Sequence, residues 1–106
     1  MNKYTKLSDF EINKKVAESL LASKLIIDIK YGEKHIFVTD IHANFYPFNP
    51  CNNPADAMPI IIENGISMVR VNNTWSARQF DNHCIEINGD NYYRIAMEVY
   101  LLMNGK

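Results

Sequence analysis

The sequence is poor in the residues that build the commonest catalytic loops. Four glycines stand singly among 106 residues, so neither a G-x-G-x-x-G turn nor a Walker loop is there to cradle phosphate on backbone amides. No G-x-S-x-G elbow presents a serine nucleophile. Two cysteines, Cys51 and Cys84, are too few for a disulfide framework, and no C-x-x-C or H-x3-5-H spacing marks a zinc site. Both are expected to be reduced and mostly buried, as in a cytosolic protein. Lys plus Arg number 11 against 12 Asp plus Glu, a net charge of -1, which removes the basic footprint of a nucleic-acid-binding surface. No apolar run approaches the roughly 20 residues that span a bilayer. The opening residues lack the apolar stretch of a signal peptide.

What is present is the patterning of a small globular protein. The apolar share is 47%, normal for a folded chain, and the length suits one domain that folds without staples. Residues 1–34 hold seven of the eight lysines with five acidic residues, a local net of +2, and the remainder is -3. A difference of that size belongs to ordinary solvated faces.

Ser8 and Glu11 form an S-x-x-E capping box, with Leu7 and Ile12 at the spacing of a hydrophobic staple. Phe10, Ile12, Val16, Ala17, Leu20 and Leu21 then predict a helix over 9–22, with Lys14, Lys15, Glu18 and Ser19 on its wet side. Residues 25–31 are largely β-branched, Gly32 and Glu33 suit a tight turn, and residues 35–39 read as the returning strand. Residues 40–53 have no period. They carry Phe45, Tyr46, Pro47, Phe48 and Pro50 and read as a long loop. Asn53 and Pro54 mark a helix start running to about Glu63, with Gly65 suited to the left-handed position beyond it. Pro59 is expected to kink or split that helix. Residues 66–71 and 74–80 flank Asn72-Asn73 as a second hairpin, residues 84–87 suggest a short extra strand, and 91–103 a last helix burying Ile95, Ala96, Val99, Leu102 and Met103. The order α-β-β-α-β-β-(β)-α predicts an α+β fold: an antiparallel sheet of four or five strands built from two hairpins, with three helices.

Candidate chemistry is sparse. Asp40-Ile41-His42 at a strand end is similar to the first metal motif of calcineurin-like phosphoesterases, but the later G-N-H-[DE] and histidine pairs are missing. Asp40 reads instead as turning the chain through its own carboxylate, with His42 exposed. His83 and Cys84 are adjacent and point apart on a strand, so they do not converge on a metal. No catalytic residue, metal site or cofactor is therefore expected. Trp75 and Arg78 are the types that stack on a ring, although their odd offset puts them on opposite faces of a strand. Arg94 stands in the first turn of the last helix, where a cation opposes the helix dipole. That calls for an acidic side chain or an anionic ligand beside it.

Three segments resemble the NinX family of small phage proteins. Leu7-Ser8-Asp9-Phe10-Glu11-Ile12-Asn13-Lys14 is similar to the family's opening. Cys51-Asn52-Asn53-Pro54-Ala55-Asp56-Ala57-Met58-Pro59-Ile60-Ile61-Ile62-Glu63-Asn64 resembles its central signature, with Met58 where the family usually has Trp. Asn91-Tyr92-Tyr93-Arg94-Ile95-Ala96-Met97, onward to Leu102-Met103, resembles its closing helix, with Tyr92 where Pro is common. Residues 24–48 and 66–88 diverge. The resemblance implies an accessory product of a tailed phage, made in the cytoplasm of its bacterial host, and brings no established activity with it.

Within the signature, Asn53, Pro54 and Pro59 have backbone duties, whereas Asn52, Asp56 and Glu63 have none. Those three, with Trp75, Arg78 and Arg94, are the candidate ligand- or partner-binding residues. The expected function is binding rather than catalysis, countering a host defence through a host protein or a sequestered nucleotide-like signal. Two alternatives stay open: a small metal-dependent nucleotide or nucleic-acid enzyme using Asp40 and His42, and a DNA-associated recombination or regulatory factor. The aromatic loop 45–48 offers a surface for a homodimer.

Overall fold

The computed structural model describes residues 2–80 and 84–104. Its first helix, α1 (Asp9–Ala22), starts at the anticipated capping box: the Ser8 hydroxyl accepts the Glu11 amide at 3.1 Å, and the Glu11 carboxylate accepts the Ser8 amide at 2.9 Å. Those bonds hold the Glu11 carboxyl below its ordinary pKa. Ile12, Val16, Ala17 and Leu20 face the core. Ser19 departs from its expected place on the wet side. It is buried, and its hydroxyl lies 2.9 Å from the equally buried Tyr100 hydroxyl, so a partner on another helix replaces water. Lys24, at φ 62°, follows the helix; the Lys24 and Leu25 amides reach back to the Leu21 and Leu20 carbonyls. This is a Schellman ending with lysine in the usual glycine position.

The strands β1 (Ile26–Tyr31), β2 (Ile36–Asp40) and β3 (Phe45–Pro47) form one antiparallel sheet in that order. β3 lies inside the stretch read as loop. Three residues ending in proline show no period, yet Tyr46 pairs with Val38 and Phe45 with Thr39, and Phe45 stacks on Phe37 with ring centroids 5.4 Å apart. A strand this short is defined by its neighbour rather than by its own pattern.

α2 (Pro54–Glu63) begins where Asn53 accepts the Ala55 amide at 3.0 Å. Pro59 does not split it; the helix is one element of ten residues. The proline removes a single bond to the Ala55 carbonyl, and buried Ala57, Ile60 and Ile61 hold the helix on both sides of that gap. Gly65 takes φ 62° at its end, with the Ile66 amide on the Ile61 carbonyl, as the left-handed cap requires.

A second antiparallel sheet holds β4 (Ser67–Val71), β5 (Thr74–Gln79) and β6 (Ile85–Gly89). The single sheet of four or five strands expected from the sequence is therefore two sheets of three. Each hairpin recruits its own third strand, and each sheet buries its apolar face against its own helix: α1 on the first, α3 (Tyr92–Met103) on the second. The two halves meet through the helices, since α1 and α2 both pack on α3. That explains why α3 buries Met97, Glu98, Tyr100 and Leu101 beyond the anticipated stripe, while Leu102 and Met103 are only half-buried. A helix covered on several sides does not show a one-sided pattern. A Cβ added at Gly89 would come within 2.9 Å of Ile95 Cγ2, so glycine lets β6 approach α3 closely. Among the described residues no helix is long and apolar enough to cross a membrane.

Candidate functional site

Arg94 organises the polar interior. Its side chain is 13% exposed, and acidic partners answer its charge. Nη1 donates to Asp9 Oδ1 at 2.8 Å, Nε to Glu98 Oε2 at 2.8 Å, and Nη2 to the Tyr4 carbonyl at 2.9 Å. Burial alone would lower its pKa; the bonds to Asp9 and Glu98 outweigh this and raise it. Of the two partners open from the sequence, an acidic side chain or an anionic ligand, the chain supplies the first. Asn2 Nδ2 completes the cluster by donating to Glu98 Oε1 at 3.0 Å.

Asp9 carries the network into the central signature. Its Oδ2 accepts from Asn52 Nδ2 at 3.2 Å, and Asn52 Nδ2 also reaches Asn49 Oδ1 at 3.1 Å. Asn49 Oδ1 accepts from Asn13 Nδ2 at 2.7 Å, while Asn13 Oδ1 accepts the Cys51 amide at 3.0 Å. The Asn49 amide donates to Asp56 Oδ2 at 2.8 Å. A loop of residues 48–53 is thus tied by side-chain amides to α1 and, through Asp9 and Arg94, to α3.

The network walls a cleft of about 160 Å³. Lys34 and His35 reach it from the β1–β2 turn, and Phe10 and Phe48 give it apolar sides. A space of roughly 150 Å³ admits one aromatic ring. Asn49 Nδ2 and Asn52 Oδ1 make no hydrogen bond to a described residue. They leave a donor group and an acceptor on residues of a cleft that the exposed Lys34 also lines.

The six candidates are only partly gathered there. Asn52 lines the cleft, Arg94 supports it through Asp9, and Asp56 supports it through the Asn49 amide. Asp56 and Glu63 line a different hollow, of about 280 Å³, between α2 and the first sheet. Trp75 packs edge-on against Tyr92 at 4.9 Å with Arg70 5.1 Å over its ring. Arg78 lies on the opposite face, as its offset requires, where its Nε donates to Ser76 Oγ at 2.9 Å and stands 3.6 Å from Glu86. Arg78 is half-buried, and the pair does not sandwich a ring.

Asp40 turns the chain as anticipated. It accepts the His42 and Asn44 amides, both at 2.9 Å, and those bonds, the Asn44 amide foremost, hold its carboxyl below the usual range. His83 lies outside the described residues. Among the described residues no group of three or more His, Cys, Asp or Glu is placed to hold a metal ion.

Sequence reasoning missed Asp9, Asn13, Asn49, Lys34 and His35. Asn13 carried a usable signal: it sits beside Ile12 on the stripe with Val16, Ala17 and Leu20, and a polar residue on a buried face needs partners.

Two results follow from the titrating groups. Burial pushes Asp56 above its ordinary value, against the bonds from Asn49 and Asn53 that lower it. A carboxyl whose folded pKa is raised stabilises fully only below its unfolded pKa and loses that contribution as pH rises through the folded one. Asp56→Asn, which keeps the acceptor for the Asn49 amide, is therefore expected to be slightly more stable than the parent at pH 7. The urea midpoints of the two should converge as pH falls below the ordinary aspartate range.

The cysteines differ more than expected, because only Cys51 is buried; Cys84 is exposed, at φ 51°. Burial, helped by the Asp9 charge, pushes the Cys51 thiol up to about 12, so it stays a protonated, unreactive thiol. Iodoacetamide at pH 8 is expected to modify one cysteine in the folded protein, Cys84, and both in denaturant, read by intact mass.

A small α+β protein whose first helix, 48–53 loop and last helix share one polar network is the class that fold and cleft define. The family model described as bacteriophage P22, NinX matches residues 3–104, and the chain belongs to that family. No curated protein and no solved structure matches it. The three segments that carry the resemblance are the ones that the network joins.

Proposed function

We propose that this phage protein works by binding rather than catalysis. It holds a small polar molecule of nucleotide-like chemistry in the amide cleft, and by sequestering that host signal it counters a defence in the bacterial cytoplasm. The observation that carries this reading is the adjacent donor and acceptor of Asn49 and Asn52 on a ring-sized cleft. A nucleobase edge presents the complementary pair. Phe10 and Phe48 offer apolar contact to its ring, and the exposed Lys34, which also lines the cleft, suits a phosphate. Binding is favoured because the cleft assembles no catalytic pair. His35 is its one lining imidazole, and its side chain has no hydrogen-bond partner among the described residues, while the neighbouring carboxylates and thiol are already engaged. Asp9 is paired with Arg94, Asp56 accepts the Asn49 amide, and the Cys51 thiol is buried and protonated.

Thermal melts against nucleoside monophosphates and cyclic and linear oligonucleotide signals test the reading. At a hundredfold excess over Kd a bound nucleotide adds about 2.7 kcal/mol, which raises Tm by several degrees. The rise should vanish in Lys34→Ala, whose side chain makes no bond in the network. A panel in which nothing moves Tm contradicts the proposal. Affinity capture from infected cells, with metabolites extracted from the eluate, then names the compound.

A further inference from the structure

β6 is an outer strand: β5 pairs with one of its edges, and no described strand pairs with the other. The backbone groups on that free edge are a template for one more strand. α3 runs back alongside it after Asp90 and Asn91, and between strand and helix lies an open groove of about 770 Å³ that shares no lining residue with the amide cleft. Ile85 and Ile87 on β6, with Ile95 and Leu102 on α3, give the groove apolar ground. Five strand residues and the helical face from 91 to 102 each extend about 17 Å, the length of an extended segment of about five residues.

The charged lining of the groove is mostly acidic, with Glu86, Asp90 and Glu98 against Arg94. Arg94 and Glu98 are committed to each other, and Arg78 stands 3.6 Å from Glu86 with its Nε bonded to Ser76, so Asp90 and the solvent side of Glu86 carry the charge left for a partner. Glu86 and Asp90 are exposed. We infer that the β6–α3 groove docks an extended basic segment of a partner protein, added to β6 as a fourth strand of the second sheet. Main-chain bonds to the β6 edge supply affinity, alternate apolar side chains settle on the isoleucines, and the intervening lysines or arginines meet Glu86 and Asp90. The inference does not depend on the nucleotide-like reading, since the two sites can be emptied separately.

The probe is the peptide acetyl-(Lys-Val)3-amide, with acetyl-(Glu-Val)3-amide as its control, titrated into the 15N-labelled full chain. The basic peptide should shift resonances of residues 85–91 and the facing positions of α3, and slow amide exchange along β6. The acidic peptide should bind about tenfold more weakly or not at all, and Glu86→Lys should weaken the basic peptide by a similar factor. If that variant does not fold, the acidic control decides the charge dependence alone. Equal binding of both peptides, no binding of the basic one, or shifts confined to the amide cleft would overturn the inference. So would protection of the same β6 amides that grows with protein concentration in the absence of peptide, which would make a second copy the occupant.

Discussion

Arg94→Met is expected to destabilise the protein by about 3–5 kcal/mol, as removal of one partner from a buried ion pair does. The Glu98 side chain is 7% exposed, so without Arg94 its charge is left in the core with only Asn2 beside it. Asp9 loses its bond to Nη1, and the Tyr4 carbonyl loses Nη2. A loss of this size is a large part of the total stability of a domain this small. The second half of the prediction separates charge from packing. Replacing the pair together, as Arg94→Met with Glu98→Leu, removes the stranded carboxylate and should recover more than half of the loss. Urea unfolding of the three proteins at one pH and salt measures both numbers. A single variant within 1 kcal/mol of the parent, on the order of an exposed ion pair, would show that the cluster is ordinary surface electrostatics.

Asn13→Leu is the second large effect, about 2–3 kcal/mol. Its shape suits the apolar face of α1, so helix propensity and burial do not oppose it. What it removes is the acceptor for the Cys51 amide and the donor to Asn49, and Cys51 is fully buried. The stranded amide loses its partner with no water to replace it. Asn49 then keeps only the exposed Asn52 donor at its side-chain oxygen, so the variant should lose nucleotide affinity by more than its loss of stability explains. Asn52→Ala is the contrasting case: Asn52 is exposed, and its removal should cost less than 1 kcal/mol while still weakening the cleft.

Local signals in the sequence were reliable where they belong to a few adjacent residues. The Ser8–Glu11 box, the Asn53-Pro54 start and the Gly65 stop each act within one turn of chain, and each lies where the spacing put it. The division into two sheets was not legible. Nothing in a strand's own alternation says which hairpin its edge will meet, and β3 exists because Phe37, Val38 and Thr39 pair with it. Ser19 was misread because its partner, Tyr100, stands 81 residues away.

The site was legible in part for the same reason. Asn52, Asp56 and Arg94 stood out as polar residues without an evident duty. Asp56 serves the adjoining loop through the Asn49 amide, whereas Asn52 and Arg94 both reach Asp9, far away in sequence. They join segments that residue spacing cannot show to be neighbours. The amide cleft emerges only when Asn49, whose own neighbours gave no period, is folded onto Asn13.

The most direct measurement is the side-chain amide region of the 15N–1H spectrum during a nucleotide titration. Folded protein should show the Asn49 and Asn52 side-chain NH2 pairs, assigned by Asn49→Ala and Asn52→Ala, moving together and saturably with at least one nucleoside monophosphate or cyclic dinucleotide. The NH2 pair of Asn104, bonded to the Tyr100 carbonyl at the far end of α3, should stay fixed. Saturable binding that leaves Asn49 and Asn52 still, or no response from either across the panel, would contradict a ligand seated on these two amides.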